Sequence, residues 1–184
     1  HCSMYGAIFP SCNTQPVNTS VTETDSETNQ QRRHDYSGLT PDVMIAAIES
    51  AGLLLSGRTL ALNSYENRVY RCDLEQGGAV VAKFYRPQRW SDAAILEEHA
   101  FALQLAAQDV PVVAPMLMQE SSLQHYEGYR FALYPVQGGR WPELAAREDF
   151  NWMGRFIARI HQVGATAHFE HRQSVDIDRM AVVP

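Results

Sequence analysis

Apolar residues are distributed unevenly along the 184 positions of the chain. Between Asn13 and Gln31 almost every residue is polar, and such a stretch cannot bury enough apolar surface to offset the entropy of ordering it. The sequence therefore predicts a disordered tail over residues 1–38. From Leu39 onward the apolar positions recur with helical or strand spacing. They predict three helices: one that begins at Thr40 and Pro41 and ends near Gly52, one over 93–108 and one over 147–163. They also predict two strands between Leu60 and Leu74 and further strands over 79–87, 116–123 and 129–134. The chain over 110–115 is predicted to be extended.

The strand over 79–87 carries one lysine among small, β-branched and aromatic residues. Because side chains alternate along a strand, Lys83 shares a face with Val81 and Tyr85, and residues 80, 82 and 84 point to the other face. Burying an ammonium group is costly unless an anion meets it. The pattern therefore predicts an anionic partner for Lys83, or else a strand-end lysine whose ammonium group reaches water.

The next helix offers such a partner. Ser91 can cap its N-terminus. At about 100° per residue, Glu98 falls at the edge of the apolar stripe, whereas Glu97 points to the opposite side, toward water. A strand lysine that meets an inward glutamate from the following helix is typical of a kinase-type site, where the lysine reaches the α- and β-phosphates of ATP. A structural ion pair between strand and helix is the alternative.

Three stretches closely resemble the bacterial stress response kinase A family, namely Leu62–Tyr70, Val81–Pro87, and Ile95–His99 with Phe101–Leu105. That family belongs to the aminoglycoside phosphotransferase and choline kinase branch of the protein-kinase-like fold. The resemblance runs from about Leu39 to the end of the chain. It implies an α+β fold. Residues 39–136 would form the N-terminal lobe, with an antiparallel sheet of about five strands and one αC-type helix. Residues 137–184 would form the hinge and a truncated start of the C-terminal lobe. The resemblance also implies ATP- and magnesium-dependent phosphorylation of serine and threonine in protein substrates in the cytoplasm.

The resemblance further implies which residues hold the nucleotide. The stretch 63–67 takes the place of a kinase glycine-rich loop although it contains no glycine, and its amides can meet phosphate together with a serine hydroxyl. In the family, the hinge follows the strand over 129–134 and binds the adenine edge through backbone groups. The implied nucleotide-binding residues are Lys83, Glu98, Ser64, Tyr65, Glu66, Asn67, Arg68, Val81, Leu133 and Tyr134. Taken without the family, 63–67 is a solvated turn and 129–134 is a sheet-edge strand that runs into a loop.

Phosphoryl transfer needs further groups that the sequence does not show. In this branch the catalytic aspartate and the magnesium ligands come from an H-G-D-x-H-x-x-N type loop and a later strand, and no histidine of the chain begins such a loop. Asp176-Ile177-Asp178 comes too soon after Gly164, the stop of the last helix, and is interpreted as solvated loop. We therefore expect no catalytic residue, no metal ligand and no kinase activity from this chain alone. Because His1 is not a methionine, we also expect an incomplete reading frame.

The helix over 147–163 has an apolar side formed by Phe150, Met153, Ile157 and Ile160. In a kinase-like chain that ends soon afterwards, this side lacks the lobe that normally covers it. We therefore expect an exposed apolar patch that favours self-association.

Charge and cysteine content narrow the function classes. The formal net charge of −6 argues against nonspecific binding to nucleic acid or to an anionic membrane surface. No apolar run approaches the roughly 20 residues that cross a bilayer. The three cysteines are scattered without metal-ligand spacing, which suggests a reducing compartment.

Two other functions stay open on the sequence. One is a small-molecule kinase for an aminoglycoside, choline or homoserine, because acceptor selection lies mainly in the C-terminal lobe of this fold. The other is a non-catalytic nucleotide-binding or interaction module that keeps Lys83 and Glu98 for structure. The sequence of Asn63–Tyr70 favours the stress response kinase over both alternatives.

Overall fold

The computed structural model describes residues 36–139 and 143–174. Residues 1–35 of the predicted tail over 1–38, and the carboxylates of 176–178, lie outside the described residues. The elements are α1 (Pro41–Ser50), β1 (Leu55–Leu62), β2 (Arg68–Leu74), β3 (Ala79–Phe84), α2 (Asp92–Ala107), β4 (Gln124–Tyr126), β5 (Tyr129–Pro135) and α3 (Arg147–Gly164). The strands form one antiparallel sheet in the order β1-β2-β3-β5-β4. The predicted α+β class and five-stranded antiparallel sheet are confirmed.

Local side-chain chemistry sets the starts of the first two helices. Thr40 caps α1, because its hydroxyl accepts a hydrogen bond from the Val43 amide at 3.3 Å. Ser91 caps α2 in the same way, through the Ala94 amide at 3.2 Å. Each cap satisfies one of the amides that the first helical turn leaves without a backbone partner. Both caps agree with the sequence prediction.

The register of the sheet fixes which side chains share a face. Lys83 stands opposite Val69 of β2 and Ala132 of β5, and Val81 stands opposite Tyr134. Directly opposed residues point to the same side of an antiparallel sheet. One face therefore carries Lys83 and its neighbours, as the alternation predicted.

The other face of the sheet meets α1 and holds the main core. Phe84 and Phe131 stack there with ring centres 5.2 Å apart, and both are fully buried. Ala47 and Ile48 of α1 are also fully buried in this cluster. On the Lys83 face, a smaller cluster packs α2 against the sheet through Tyr85, Ile95, Leu123 and Ala132. The helix α2 is therefore held where it can reach β3.

Residues 116–123 do not form the predicted strand. They fold back at a tight turn in which Gln119 and Glu120 have φ values of 50° and 68°. Met118 and Ser121 exchange backbone hydrogen bonds of 2.9 and 3.0 Å across it. The strand that pairs with the outer edge of β5 is β4, which begins only at Gln124. The prediction was wrong because a left-handed backbone at two non-glycine residues leaves no mark on the apolar pattern.

The side of α3 that packs differs from the apolar side that the sequence predicts to be exposed. Phe156, Ile160 and Val163 face a small cluster that includes Leu105 of α2. Of the four residues expected to form the apolar side, only Ile160 belongs to this cluster. Phe150 and Ile157 are 57% and 42% exposed. None of the helices in the described ranges has the length and apolar character needed to span a membrane.

Candidate functional site

Lys83 lies at the margin between the sheet and α2. Its side chain is 23% exposed, and its Nζ atom lies 3.3 Å from Oε1 of Glu98. The same Nζ atom lies 4.7 Å from the centre of the Tyr85 ring, within cation–π range. The contact between Lys83 and Glu98 that the sequence predicts is therefore formed. Lys83 is also the only lysine of the sequence.

Burial and a second cation act on the Lys83 ammonium group. Partial desolvation lowers its pKa most, the charge of Arg172 lowers it further, and Glu66 raises it. Arg172 forms an ion pair with the second oxygen of Glu98, Oε2. One carboxylate thus serves two cations, a lysine from β3 and an arginine from beyond α3.

A cleft of about 430 Å³ opens beside this pair. Apolar side chains from two strands and from the extended chain after α2 form part of its wall, and the chain that leaves β5 forms another part. The lining residues are Val69, Val81, Lys83, Glu98, Val113, Tyr134, Pro135 and Gln137. The cleft therefore combines apolar walls with one cation, and the Glu98 carboxylate stands behind that cation.

A buried polar network supports the wall of the cleft. The Tyr85 hydroxyl lies 2.6 Å from Nε2 of His99 and 3.1 Å from the Tyr134 hydroxyl. Nδ1 of His99 lies 2.9 Å from the Ser122 hydroxyl. Desolvation, followed by the charge of Lys83, lowers the pKa of His99 to about 4. The ring is therefore neutral at pH 7 and satisfied at both nitrogens.

The loop over 63–67 is anchored at its C-terminal end. Glu66 binds Nε of Arg89 at 2.5 Å, and Asn67 Oδ1 accepts from the Arg86 amide at 3.2 Å. The Arg68 guanidinium lies 5.1 Å from the centre of the Tyr36 ring. Both arginines that hold Glu66 and Asn67 come from the segment just after β3.

The tip of this loop is open to solvent. Ser64 is exposed, and the Tyr65 side chain is fully exposed. None of the residues 64–68 belongs to the cleft wall. The structure therefore joins this loop to the strand that carries Lys83, and it leaves the amides and hydroxyl of the tip accessible.

The remaining two predicted site residues separate at the end of β5. Tyr134 lines the cleft, whereas the side chain of Leu133 lies in the core on the opposite face of the sheet. The Leu133 carbonyl accepts a hydrogen bond from the Met116 amide at 2.7 Å. Of the ten predicted residues, four stand together at the cleft: Val81, Lys83, Glu98 and Tyr134.

A family comparison covers this region of the chain. The family model for APH, the phosphotransferase enzyme family, matches residues 58–181, which include the cleft, α2 and α3. The chain belongs to the APH phosphotransferase enzyme family. The resemblance inferred from the Lys83 strand and the following helix is thereby confirmed.

Individual APH-type relatives carry more specific names. Stress response kinase A of Escherichia coli strain K12 is 38% identical over 149 residues, which cover 81% of this chain and 45% of that protein. The same protein of Shigella flexneri gives the same figures, 38% over 149 residues. The serine/threonine protein kinase RdoA of Salmonella typhimurium is 37% identical over 142 residues, 77% of this chain and 43% of that protein. The chain thus spans less than half the length of these curated relatives.

A solved structure supports the fold independently. The amicoumacin kinase hAmiN, in complex with AMP-PNP, Ca²⁺ and Ami, superposes with a TM-score of 0.56 over 70% of this chain and 42% of that one. Its sequence identity of 20% is too low to carry more than the fold.

Sequence reasoning missed two contributions to the site. It placed Glu97 toward water, whereas the Glu97 carboxylate accepts hydrogen bonds from the backbone of residues 170–172. It gave no role to Arg172, because one arginine in an irregular stretch has no period or motif that marks it. Neither contact is local, since more than 70 residues separate the partners.

The described residues contain no group of three or more histidine, cysteine or acidic side chains that could hold a metal ion. This finding covers residues 36–139 and 143–174 alone. It agrees with the acidic residues described above, which are engaged by cations or backbone amides.

Proposed function

We propose that the chain carries the ATP-binding lobe of a serine/threonine protein kinase of the stress response kinase A type. The observation that carries the proposal is the 3.3 Å contact between Lys83 and Glu98 at the end of an open cleft. In kinases this pair holds the lysine ammonium where it can meet the α- and β-phosphates. The names of the relatives that share 37–38% identity support the same type.

The described residues fit a nucleotide. Val69 and Val81 offer an apolar surface to a planar base, and the backbone between Tyr134 and Gln137 offers polar groups at the edge of the cleft. Lys83 is the cation for the phosphates. The open tip at Ser64 offers a hydroxyl and amides to the phosphates from the loop side. When bound, ATP supplies the phosphoryl group that a kinase transfers.

Magnesium binding and phosphoryl transfer need residues beyond the nucleotide cleft. The sequence contains no H-G-D-x-H-x-x-N loop, which supplies the catalytic aspartate and metal ligands in this branch. We therefore propose that this chain binds nucleotide but does not transfer phosphate by itself. The longer relatives fit this division, because this chain spans less than half of each.

We propose that the phosphate acceptor is a protein and not a small molecule. The relatives with 37–38% identity are named as stress response or protein kinases. The small-molecule kinase hAmiN shares only 20% identity, so its likeness concerns the fold. We also propose a cytoplasmic location, since Cys72 is a buried free thiol and the cysteines are few and scattered.

Calorimetric titration with ATP tests the nucleotide site. We expect Lys83→Met to weaken binding at least about tenfold, because the phosphates lose their cation. Arg155→Met is the matched control, because Arg155 is an exposed residue of α3 that does not line the cleft. Wild-type binding that Lys83→Met leaves unchanged would contradict the proposal. So would a wild-type chain that shows no binding at millimolar ATP.

A phosphotransfer assay tests whether the chain alone transfers phosphate. With ATP, magnesium and a generic protein acceptor, we expect no turnover by the chain alone. Turnover at ordinary kinase rates of about 1–100 s⁻¹ would contradict the catalytic part while leaving the binding site intact. Binding without turnover is also what a purely nucleotide-binding module would show. The reading frame beyond Pro184 separates the two, because only a kinase continues into a catalytic loop.

A further inference from the structure

The chain after α3 returns to α2 and is held there by one carboxylate. Glu97 accepts hydrogen bonds from three consecutive backbone amides, those of Glu170, His171 and Arg172, with the Arg172 bond at 3.0 Å. Partial desolvation would raise the pKa of Glu97, but these three amides together hold it below its ordinary value. Successive amides around one anion fix the local backbone. The segment 170–172 is thereby docked on the first half of α2.

This docking aims the Arg172 side chain at Glu98. The guanidinium group lies 4.4 Å from the centre of the Trp90 ring, and its Nε donates to the Ala94 carbonyl at 3.1 Å. Its Nη2 forms the ion pair with Oε2 of Glu98. An aromatic face, a carbonyl and a carboxylate match the planar fork of arginine, and a lysine cannot satisfy all three.

Glu98 separates two hollows. On one side is the cleft that holds Lys83. On the other is a cavity of about 440 Å³, lined by Glu98, Phe101, Phe169, Arg172, Gln173 and Ser174. A change on the Arg172 side therefore reaches Lys83 through a single carboxylate.

We propose that Arg172 is a positioning residue of the nucleotide site: it holds Oε2 of Glu98, which leaves Oε1 aimed at Lys83 and keeps the ammonium group at the cleft. The proposal rests on the proposed function for its link to ATP. Two cationic partners, one on each oxygen, restrict the Glu98 carboxylate more than one partner would, and they share its negative charge. The lysine is then held in place but stays available to a phosphate.

The electrostatics point the same way. Arg172 lowers the pKa of Lys83 directly, through charge repulsion that adds to desolvation. The other charged, titratable or aromatic groups that face this ammonium are Glu98, Glu66, His99 and the Tyr85 ring. Removal of Arg172 should therefore have two measurable effects, one on ATP affinity and one on Lys83 itself.

Because Lys83 is the only lysine, a protein labelled with ¹³Cε-lysine gives one side-chain NMR signal, and its pH titration reports the Lys83 pKa directly. This measurement and an ATP titration are made on the wild-type chain and on Arg172→Met and Glu97→Gln. Arg172→Lys adds a second lysine, so it is tested by the ATP titration alone. Arg155→Met is the matched control, an exposed arginine of α3. Circular dichroism verifies that each variant is folded.

We expect Arg172→Met to weaken ATP binding about tenfold and to raise the Lys83 pKa. Arg172→Lys keeps the charge but loses the planar fork, so ATP binding should remain weakened. Glu97→Gln should move both readouts in the direction of Arg172→Met by a smaller amount, because it only loosens the docked segment. Arg155→Met should change neither.

A folded Arg172→Met protein with wild-type ATP affinity and an unchanged Lys83 titration would overturn the inference, and the proposed function would stand. If Arg172→Met does not fold, the inference is overturned instead by wild-type ATP affinity in Arg172→Lys together with wild-type ATP affinity and Lys83 titration in Glu97→Gln. If the wild-type chain does not bind ATP, the proposed function fails. The Lys83 titration then still decides whether Arg172 acts on Lys83.

Discussion

At the scale of single residues, His99 shows how a polar group is accommodated beside the site. The residue is 1% exposed, and a buried imidazole is tolerated only when both ring nitrogens find partners. Two hydroxyls supply them, from Tyr85 and Ser122. Hydroxyls can donate or accept, so they satisfy a neutral ring in either tautomer. They cannot compensate a positive ring that lies near the Lys83 ammonium group.

This environment predicts a pH-dependent stability. The pKa of His99 is about 4 in the folded chain and about 6.5 when unfolded. The unfolded state therefore binds more protons between these values, so the contribution is complete above about pH 6.5 and is lost as the pH falls toward 4. We expect the free energy of unfolding to fall by about 2 kcal/mol between pH 7.5 and pH 5 on account of His99.

Urea unfolding at the two pH values measures this loss. His99→Gln removes the titration, so its stability should change less between pH 7.5 and pH 5 than that of the wild type. His161→Gln is the control, because His161 is exposed near the end of α3. An equal pH dependence in the wild type and His99→Gln would show that the His99 ring does not govern it.

At the scale of elements, α2 connects the core to the site. Ile95 is fully buried against the sheet, and Glu98 lies less than one turn further along the helix. The start of the helix depends on the Ser91 cap and on Asp92, which binds Arg130 at 3.0 Å. Hydrogen bonds from Arg130 do most to lower the pKa of Asp92, against a smaller desolvation effect. The first turn therefore anchors the helix that carries Glu98.

We expect Ser91→Ala to destabilise the chain by about 1 kcal/mol, the usual effect of losing an N-cap side chain. Chemical denaturation measures the change. Ser64→Ala is the matched control, because that hydroxyl is exposed at a loop tip and caps no helix. A loss of the same size in both variants would indicate that the Ser91 cap is not what stabilises α2.

The same elements show which features of the fold and the site could be predicted from the sequence. Local signals predicted the caps, the alternation on β3 and the pairing of Lys83 with Glu98, because each depends on residues close in sequence or on a regular period. The 116–123 turn and the residues by which α3 packs near α2 were not predicted, since a left-handed backbone and a contact between helices are decided by packing. The role of Arg172 and the hydrogen bonds of Glu97 were not predicted for the same reason, because their partners lie in a distant part of the sequence.

At the scale of the whole molecule, the described residues leave an apolar surface on α3. Phe150 and Ile157 lie two turns apart on one side of the helix, and both are large and exposed. The packed side of the helix, with Ile160 and Val163, lies against the cluster near α2. The exposed pair is therefore a feature of the outer face. Exposed apolar patches of this kind mark surfaces that associate.

We expect the double variant Phe150→Glu/Ile157→Glu to reduce self-association and the binding of a hydrophobic dye, because charges replace the exposed apolar pair. Its stability should stay within about 1 kcal/mol of the wild type, since both side chains are exposed. Sedimentation velocity over a concentration series measures association. Gln162→Glu is the control, because it adds a charge at an exposed position of α3 outside the pair. A wild-type chain that sediments as a monomer at all concentrations and binds no dye would show that this face does not drive association.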